Sequence, residues 1–374
     1  MKNYYLTIFL ILMTSGIFAQ YDSIPYDGDY RTYLLHLPSG YTGISDLPLI
    51  VAMHGGFGNA YNMETISELS IKADAEHFIV VYPEGVKGGF LNASSWNAGW
   101  CCGFASSSNV DDVGFIDSLL NTLIGDYSID TNRIYATGMS NGGFMSYRLA
   151  CELSDRIAAI APVECSMTMT SCTPNRVVPI IHFHSYLDTH IPYDGGIGSG
   201  PSNHYNPPID SVLNVWASNN SCGILNDTII NNAQYTLTKW TDCDCETEIH
   251  CYITQDGGHS WPGVGGSAYI NATDLMWTFF QQYSLDCNPT FIANENRQES
   301  KIKIYPNPTN NIIKIQPYIN WKNIKISVFS PQGQEILRSI DQTEVDISNL
   351  SNGLLLMKIE LDDTVEMHII LKTK

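Results

Sequence analysis

Apolar residues along the chain fall into two patterns, and the change comes near residue 290. Before it, near-continuous apolar runs at residues 47–53, 78–82, 157–163 and 177–183 read as strands of a sheet buried on both faces. Residues 30–37, 235–240 and 246–254 read as further strands. Helical spacing lies between them. Ile66, Leu69 and Ala73 share one face of a helix predicted over 63–75. Val113, Ile116, Leu119, Leu120 and Leu123 do the same over 110–127, and helices are also predicted over 142–149, 209–218 and 272–283. Strands alternating with helices predict an α/β class with a mostly parallel sheet. After residue 300 the pattern shortens to alternating strands at 302–305, 312–315, 324–329, 354–361 and 368–371, separated by turn residues, which predicts a small β-sandwich. Residues 288–300 are polar and read as a linker.

The first 19 residues change the picture. Lys2, an apolar run at 6–13 and a small-residue end at Ala19 have the form of a signal peptide, and no later stretch is apolar for long enough to span a membrane. An exported protein is expected. Ten cysteines, all before residue 290, fit an oxidising compartment and allow up to five disulfides whose pairing the sequence leaves open. Net charge is −19, unevenly spread: residues 20–289 hold 8 Lys+Arg against 28 Asp+Glu, and residues 290–374 hold 10 of each. So acidic a body repels nucleic acid and anionic surfaces, and none is expected as a partner.

The candidate chemistry centres on residues 133–150. A β-prone run leads into Gly138-Met139-Ser140-Asn141-Gly142, which matches G-x-S-x-G, and a helical run follows. A nucleophile on so sharp a strand-to-helix turn has a strained backbone, and flanking glycines let neighbouring chain approach. A Gly/Ser-rich turn without chemistry is the plain alternative. A serine hydroxyl needs a base and an orienting carboxylate, which follow it in this arrangement. His259, in the Gly- and Pro-bounded loop 255–263, is the candidate base, with a surface-turn histidine as the alternative. Asp188, following the 177–183 strand, is the favoured acid, with Asp194 and Asp210 as competitors. His182, His184, Asp188 and His190 also form H-x-H-x3-D-x-H, a rival divalent-metal motif, and Cys243, Cys245, His250 and Cys251 could chelate as well, although disulfides suit an exported chain better. Oxyanion donors are expected from the Asn141 N–H and from the turn holding Gly55 and Gly56. Trp96, Trp100 and Trp261 could form a substrate-stacking wall, ordinary packing being the alternative. Asp111 or Asp112 could cap the helix that follows them.

Together, His54-Gly-Gly, residues 96–103 (WNAGWCCG), 110–115 (VDDVGF), 135–143 (YATGMSNGG), 158–162 (AAIAP) and 257–263 (GGHSWPG) resemble the extracellular polyhydroxybutyrate depolymerase and feruloyl esterase-like α/β-hydrolases, related to acetyl xylan esterases. The resemblance spans roughly residues 25–287 and implies Ser140 as nucleophile, His259 as base and Asp188 as acid. Where that family usually has a glycine after the strand-end histidine, this chain has Ser185. Residues 304–309, 328–333, 347–353 and the basic end at 372–374 resemble the C-terminal sorting module of type IX secretion cargo, which implies passage through the outer membrane, usually with loss of the tail.

The sequence therefore predicts a signal peptide (1–19), an α/β-hydrolase domain (20–287), a linker (288–300) and a sorting β-domain (301–374). The expected activity is a secreted serine esterase without metal or organic cofactor. It would act on feruloyl or acetyl esters of plant polysaccharide or on a polyhydroxyalkanoate-type polyester. A peptidase or acyltransferase on the same fold, or a non-catalytic surface binding module, is the alternative.

Overall fold

A computed structural model describes residues 19–286, apart from 170, 201–202, 224–225 and 264. It also describes residues 302–372, apart from 307–308, 318–320, 331–334 and 363. Nearly all of the expected signal peptide and the whole expected linker lie outside the described residues. In chain order the first part comprises β1 (Gln20–Tyr26), β2 (Asp29–His36), β3 (Leu47–Met53), α1 (Ala60–Ser67), α2 (Leu69–Glu76) and β4 (Ile79–Pro83). There follow β5 (Val86–Gly88), β6 (Ala93–Ser95), α3 (Gly103–Ser107), α4 (Asp112–Asp126), β7 (Ile129–Met139), α5 (Asn141–Glu152), β8 (Ala159–Val163) and β9 (Ile180–Ser185). The part ends with α6 (Ile209–Asn219), β10 (Asn226–Asn231), β11 (Tyr235–Trp240), β12 (Ile249–Thr254) and α7 (Ala272–Phe280).

Ten strands make one sheet in the order β1-β2-β4-β3-β7-β8-β9-β12-β11-β10. The six from β4 to β12 are mutually parallel, while β1, β2, β10 and β11 add antiparallel margins. The strands predicted from apolar runs are the central ones, because both faces are covered. Leu49, Val51, Ile134, Ala136 and Ile160 pack with α4, α5 and α6, whereas Ile50, Ala52, Tyr135, Ala161 and Phe183 pack with α1, α2 and α7. Tyr135 stacks on Phe280 at 4.5 Å and Phe78 on Trp277 at 4.2 Å, fixing α7 to its face.

Several elements depart from expectation. The helix predicted over 63–75 is two, broken where Glu68 takes a left-handed conformation (φ 51°) and caps α1. Strands β1 and β10 carry too many polar residues to show in a hydrophobic pattern, being margin strands. Asp111, not Asp112, caps α4, accepting the Gly114 N–H at 3.0 Å. Asp112 is instead buried in an ion pair with Arg31 at 2.7 Å. Within the allowance of up to five disulfides, the described residues show Cys101–Cys102, Cys151–Cys172 and Cys222–Cys243 bonded and Cys245 also in a disulfide, while Cys165 and Cys251 are buried thiols.

The C-terminal part holds a three-stranded sheet, Ile302–Tyr305, Ile312–Pro317 and Glu344–Asp346, and a four-stranded sheet, Glu335–Ile340, Ile324–Phe329, Gly353–Leu361 and Thr364–Lys372. Both sheets contribute to one core that includes Ile313, Ile326, Val328, Met357 and Ile359. The strands Glu335–Ile340 and Glu344–Asp346 were not expected; their residues are mostly polar or half-exposed.

Candidate active site

Ser140 sits where β7 ends and α5 begins, at φ 54° and ψ −120°, a strained conformation for a non-glycine residue. The neighbouring glycines are sterically obligatory. A Cβ on Gly138 would lie 2.6 Å from the Met53 carbonyl oxygen, and one on Gly142 would lie 2.1 Å from it. The elbow is thus wedged against the end of β3, and no side chain larger than hydrogen fits. Ser140 itself is tied down by its N–H to the Val163 carbonyl at 2.9 Å.

His259, on the loop after β12, places Nδ1 2.7 Å from Asp188 Oδ2. Asp188 is 3% exposed, and its Oδ1 accepts the N–H groups of His190 and Ile191 at 2.8 and 2.9 Å. Burial alone would raise the Asp188 carboxyl, but the His259 hydrogen bond and charge, a hydrogen bond from Glu164 and the nearby His184 hold it below the ordinary value. The competitors are placed otherwise: Asp194 is exposed, and Asp210 accepts the Tyr193 hydroxyl at 2.7 Å.

Ser140 and His259 both line a cavity of about 660 Å³, with Gly56, Asn141 and His190. Asn141 is the first residue of α5, so its N–H points into a helix start, and its side chain is held by Trp96: Nδ2 donates to the Trp96 carbonyl at 3.0 Å and Oδ1 accepts its N–H at 2.7 Å. In the opposite turn the Phe57 N–H goes to Ser94 O. That leaves Gly56, which lines the cavity, as the candidate second donor. Gly55 lies behind it, where a Cβ would meet Met139 O at 3.3 Å and Ser140 Cβ at 3.4 Å. His54 holds this turn. Nδ1–H donates to Gly55 O at 2.7 Å and Nε2 accepts the Gly85 N–H at 3.0 Å, and burial lowers its pKa to about 4.

The tryptophan wall is a correction. Trp96 is fully buried, with Nε1 donating to His54 O at 3.0 Å, and Trp261 is buried with Nε1 on Thr273 Oγ1 at 3.0 Å. Trp100 is exposed but does not line the cavity. Indole N–H groups need partners when buried, and both buried rings found theirs inside the fold. The apolar wall is built from phenylalanines and a leucine: Phe57, Phe90, Leu91, Phe104 and Phe144. Phe90 is wholly exposed at the tip between β5 and β6. A Gly88 Cβ would lie 2.3 Å from the Phe104 ring, so that glycine admits the ring to the wall.

Among the described residues the four residues of the rival metal motif do not meet at one point: Asp188 lies with His184 and Glu164 on one side and with His190 and His259 on the other, and His182 belongs to neither group. Tyr147 OH meets His182 Nδ1 at 2.9 Å, His182 Nε2 meets His184 Nδ1 at 3.4 Å, and His184 Nε2 meets Ile191 O at 2.9 Å. Because a carbonyl only accepts, His184 carries its proton on Nε2, and the chain runs Tyr147 to His182 to His184 to Ile191. Burial holds both histidines low, His184 at about 4. Their nitrogens are used in tying β9 to α5 and to the acid loop. His190 stacks on His259 at 4.7 Å. Glu164, which the sequence reading did not single out, is buried beside Asp188 and His184.

Residues 31–168 match the esterase PHB depolymerase family, and residues 303–372 match the secretion system C-terminal sorting domain. The latter marks a secreted or surface-attached protein. No described helix is long and apolar enough to cross a membrane. The chain is 28% identical over 270 residues to feruloyl esterase B of Piromyces equi, covering 68% of this chain and 46% of that protein. It is 28% identical over 257 residues to feruloyl esterase C of Emericella nidulans, covering 67% of this chain and 83% of that protein. The chain thus spans about half the length of the first relative and most of the second. Acetyl xylan esterase from Aspergillus awamori shares the fold, with a TM-score of 0.50, 15% identity, and 70% of this chain and 99% of that one covered.

Proposed function

We propose that this chain, whose residues 31–168 belong to the esterase PHB depolymerase family and whose residues 303–372 are a secretion sorting domain, is a secreted serine esterase with Ser140, His259 and Asp188 as its triad. Ser140 Oγ attacks the ester carbonyl while His259 Nε2 takes its proton. Asp188 holds Nδ1–H, fixing the tautomer and stabilising the imidazolium. The N–H groups of Asn141 and Gly56 receive the oxyanion, with Gly55 letting the turn come close. His259 returns the proton to the leaving alcohol, giving an acyl-enzyme that water, activated by the same imidazole, hydrolyses. The observation that carries this reading is the 2.7 Å His259–Asp188 bond on the wall of the cavity that Ser140 also lines.

The five apolar side chains of the wall support a bulky, aromatic acyl group, as in feruloyl esters of polysaccharide, ahead of acetyl. A hydroxyalkanoate polyester is the second reading, which the exposed Phe90 and Leu91 at the rim also suit. Residues 1–19 are proposed to be removed on export. Residues 20–287 form the catalytic domain, 288–300 a linker, and 301–374 the part read by the type IX machinery. The test is hydrolysis of methyl ferulate, acetylated xylan and hydroxybutyrate oligomers by residues 20–374, beside Ser140→Ala. Ser140-dependent turnover greatest on ferulate is expected, with the variant down by about 10⁴-fold or more. Activity surviving Ser140→Ala overturns the reading, and turnover of hydroxybutyrate alone replaces the substrate class.

A further inference from the structure

Behind the proposed triad lies a second carboxyl that the mechanism above does not use. Glu164 follows β8 directly, one strand over from β9, and is 1% exposed. Its backbone is left-handed, φ 45°, unusual for a non-glycine residue and held by its N–H on Phe183 O at 2.9 Å. Its Oε2 accepts the Ser185 N–H at 3.2 Å, and its carboxyl faces that of Asp188, their oxygens within 4.8 Å of each other. Ser185 is the residue that departs from the family resemblance, so the departure and the extra carboxyl meet at one point.

Two buried carboxyls this close do not both ionise, and donor counting decides which one holds the proton. Asp188 receives three N–H donors, from His190, Ile191 and His259 Nδ1. Glu164 receives one, from Ser185. Protonating Asp188 would forfeit the richer set, so the proton belongs on Glu164. The other groups facing the pair agree. His184 Nε2 lies 3.8 Å from both carboxyls but spends its proton on Ile191 O at 2.9 Å. Cys165, next in the chain, is a buried thiol pushed well up by desolvation and by the two acids. No Lys or Arg side chain faces the pair among the described residues. Desolvation and the Asp188 charge also push the Glu164 carboxyl well above the carboxylate range.

We propose, resting on the esterase reading, that Glu164 is a positioning residue: a buried, neutral carboxylic acid that donates to Asp188 and sets how strongly Asp188 attracts the His259 imidazolium. A carboxylate stripped of that donor would be more basic and would stabilise His259⁺ further. The acid needed for orientation is thereby kept from trapping the base in its charged form.

The test is NMR titration of His259 in full-length protein carrying Ser140→Ala, with Glu164→Gln or Glu164→Leu added; it does not require turnover. Gln keeps both hydrogen bonds, accepting from Ser185 and donating to Asp188, and Leu keeps neither. The expected result is a His259 pKa unchanged in Glu164→Gln and raised, by roughly half a unit or more, in Glu164→Leu. In enzymes with Ser140 intact, the acid limb of kcat/KM should follow it upward in Glu164→Leu, with kcat down about 10-fold and KM little changed. A His259 pKa lowered in Glu164→Gln overturns the proposal, because that is the sign for losing a negative Glu164. No change in either variant also overturns it, reducing Glu164 to packing. Should Glu164→Leu not fold, Glu164→Met, closer to Glu in shape and equally without the donor, takes its place. Activity without dependence on Ser140 would sink the esterase reading but leave this titration interpretable.

Discussion

At the proposed nucleophile, a strand and a helix adjacent in sequence meet, and what shapes them is steric. Gly138 and Gly142 sit against the Met53 carbonyl because nothing larger fits, and Ser140 takes φ 54° because the turn leaves it no other course. At the proposed acid, parts distant in sequence converge: Glu164 from the end of β8, Asp188 after β9, His259 after β12, and Tyr147 reaching through two histidines from α5. What shapes that corner is the need of every buried polar atom for a partner. A steric turn has one local solution. A buried polar corner has several protonation states, and the surroundings choose among them.

The sharpest way to break the steric side is Gly142→Ala. Its Cβ would lie 2.1 Å from the Met53 oxygen and 2.7 Å from that of His54, both backbone atoms that cannot swing aside. The overlap either expels the elbow from β3 or unwinds the start of α5. We expect a loss of about 4 kcal/mol or more, at the far end of the range for single substitutions, and esterase activity below about 1%. Thermal unfolding and ester turnover check it. A stable, active Gly142→Ala would mean that the elbow yields and that the glycines do not fix Ser140.

The same contrast explains what could be read from the sequence. Ser140 was legible because its glycines are within two residues, and the central strands because both their faces are apolar. His259 and Asp188 could be named as candidates from loop position and chain order, and the resemblance implies both. Glu164 was not singled out, since one Glu among 38 acidic residues says nothing of burial. Its one signal was position, immediately after an apolar parallel strand, on the sheet edge where sites gather. The tryptophans misled because a large ring in a glycine-containing loop suggests an open wall. In the fold, Trp96 is the brace between His54 O and Asn141. Phe90 and Leu91, preceded by Gly88 and Gly89, form the exposed tip, and nothing in their spacing marks them as a wall.

The polar side can be sharpened with stability against pH. Glu164 has a folded pKa well above its unfolded value near 4.5, so between those values the folded state holds a proton that the unfolded state has released. Its contribution is intact below about pH 4.5 and is lost as pH rises toward the folded pKa, at up to about 1.4 kcal/mol per pH unit. Glu164→Gln removes this dependence while keeping the hydrogen bonds. The variant should match the parent near pH 4 and gain on it steadily as pH rises toward 7, in urea unfolding at several pH values. A difference that is flat with pH, or that favours the parent as pH rises, would place the proton elsewhere.

The smallest expected effect lies where neither sterics nor polar pairing decides, at the apolar wall. Phe90 is exposed in the free protein and lines the cavity from a loop tip, so the fold loses little if it is truncated. A ring stacked against it in the bound state would bring about 1 kcal/mol, the usual worth of an aromatic pair beyond its buried area. Phe90→Ala should therefore lower kcat/KM for methyl ferulate by roughly 5- to 10-fold and leave a matched methyl or acetyl ester within about 2-fold, with melting unchanged. Equal losses on both esters would show that Phe90 shapes the tip itself and does not meet the acyl ring. The aromatic preference would then have to come from Phe57, Phe104 or Phe144, of which Phe104 is seated by the missing side chain of Gly88 and is the next to be truncated.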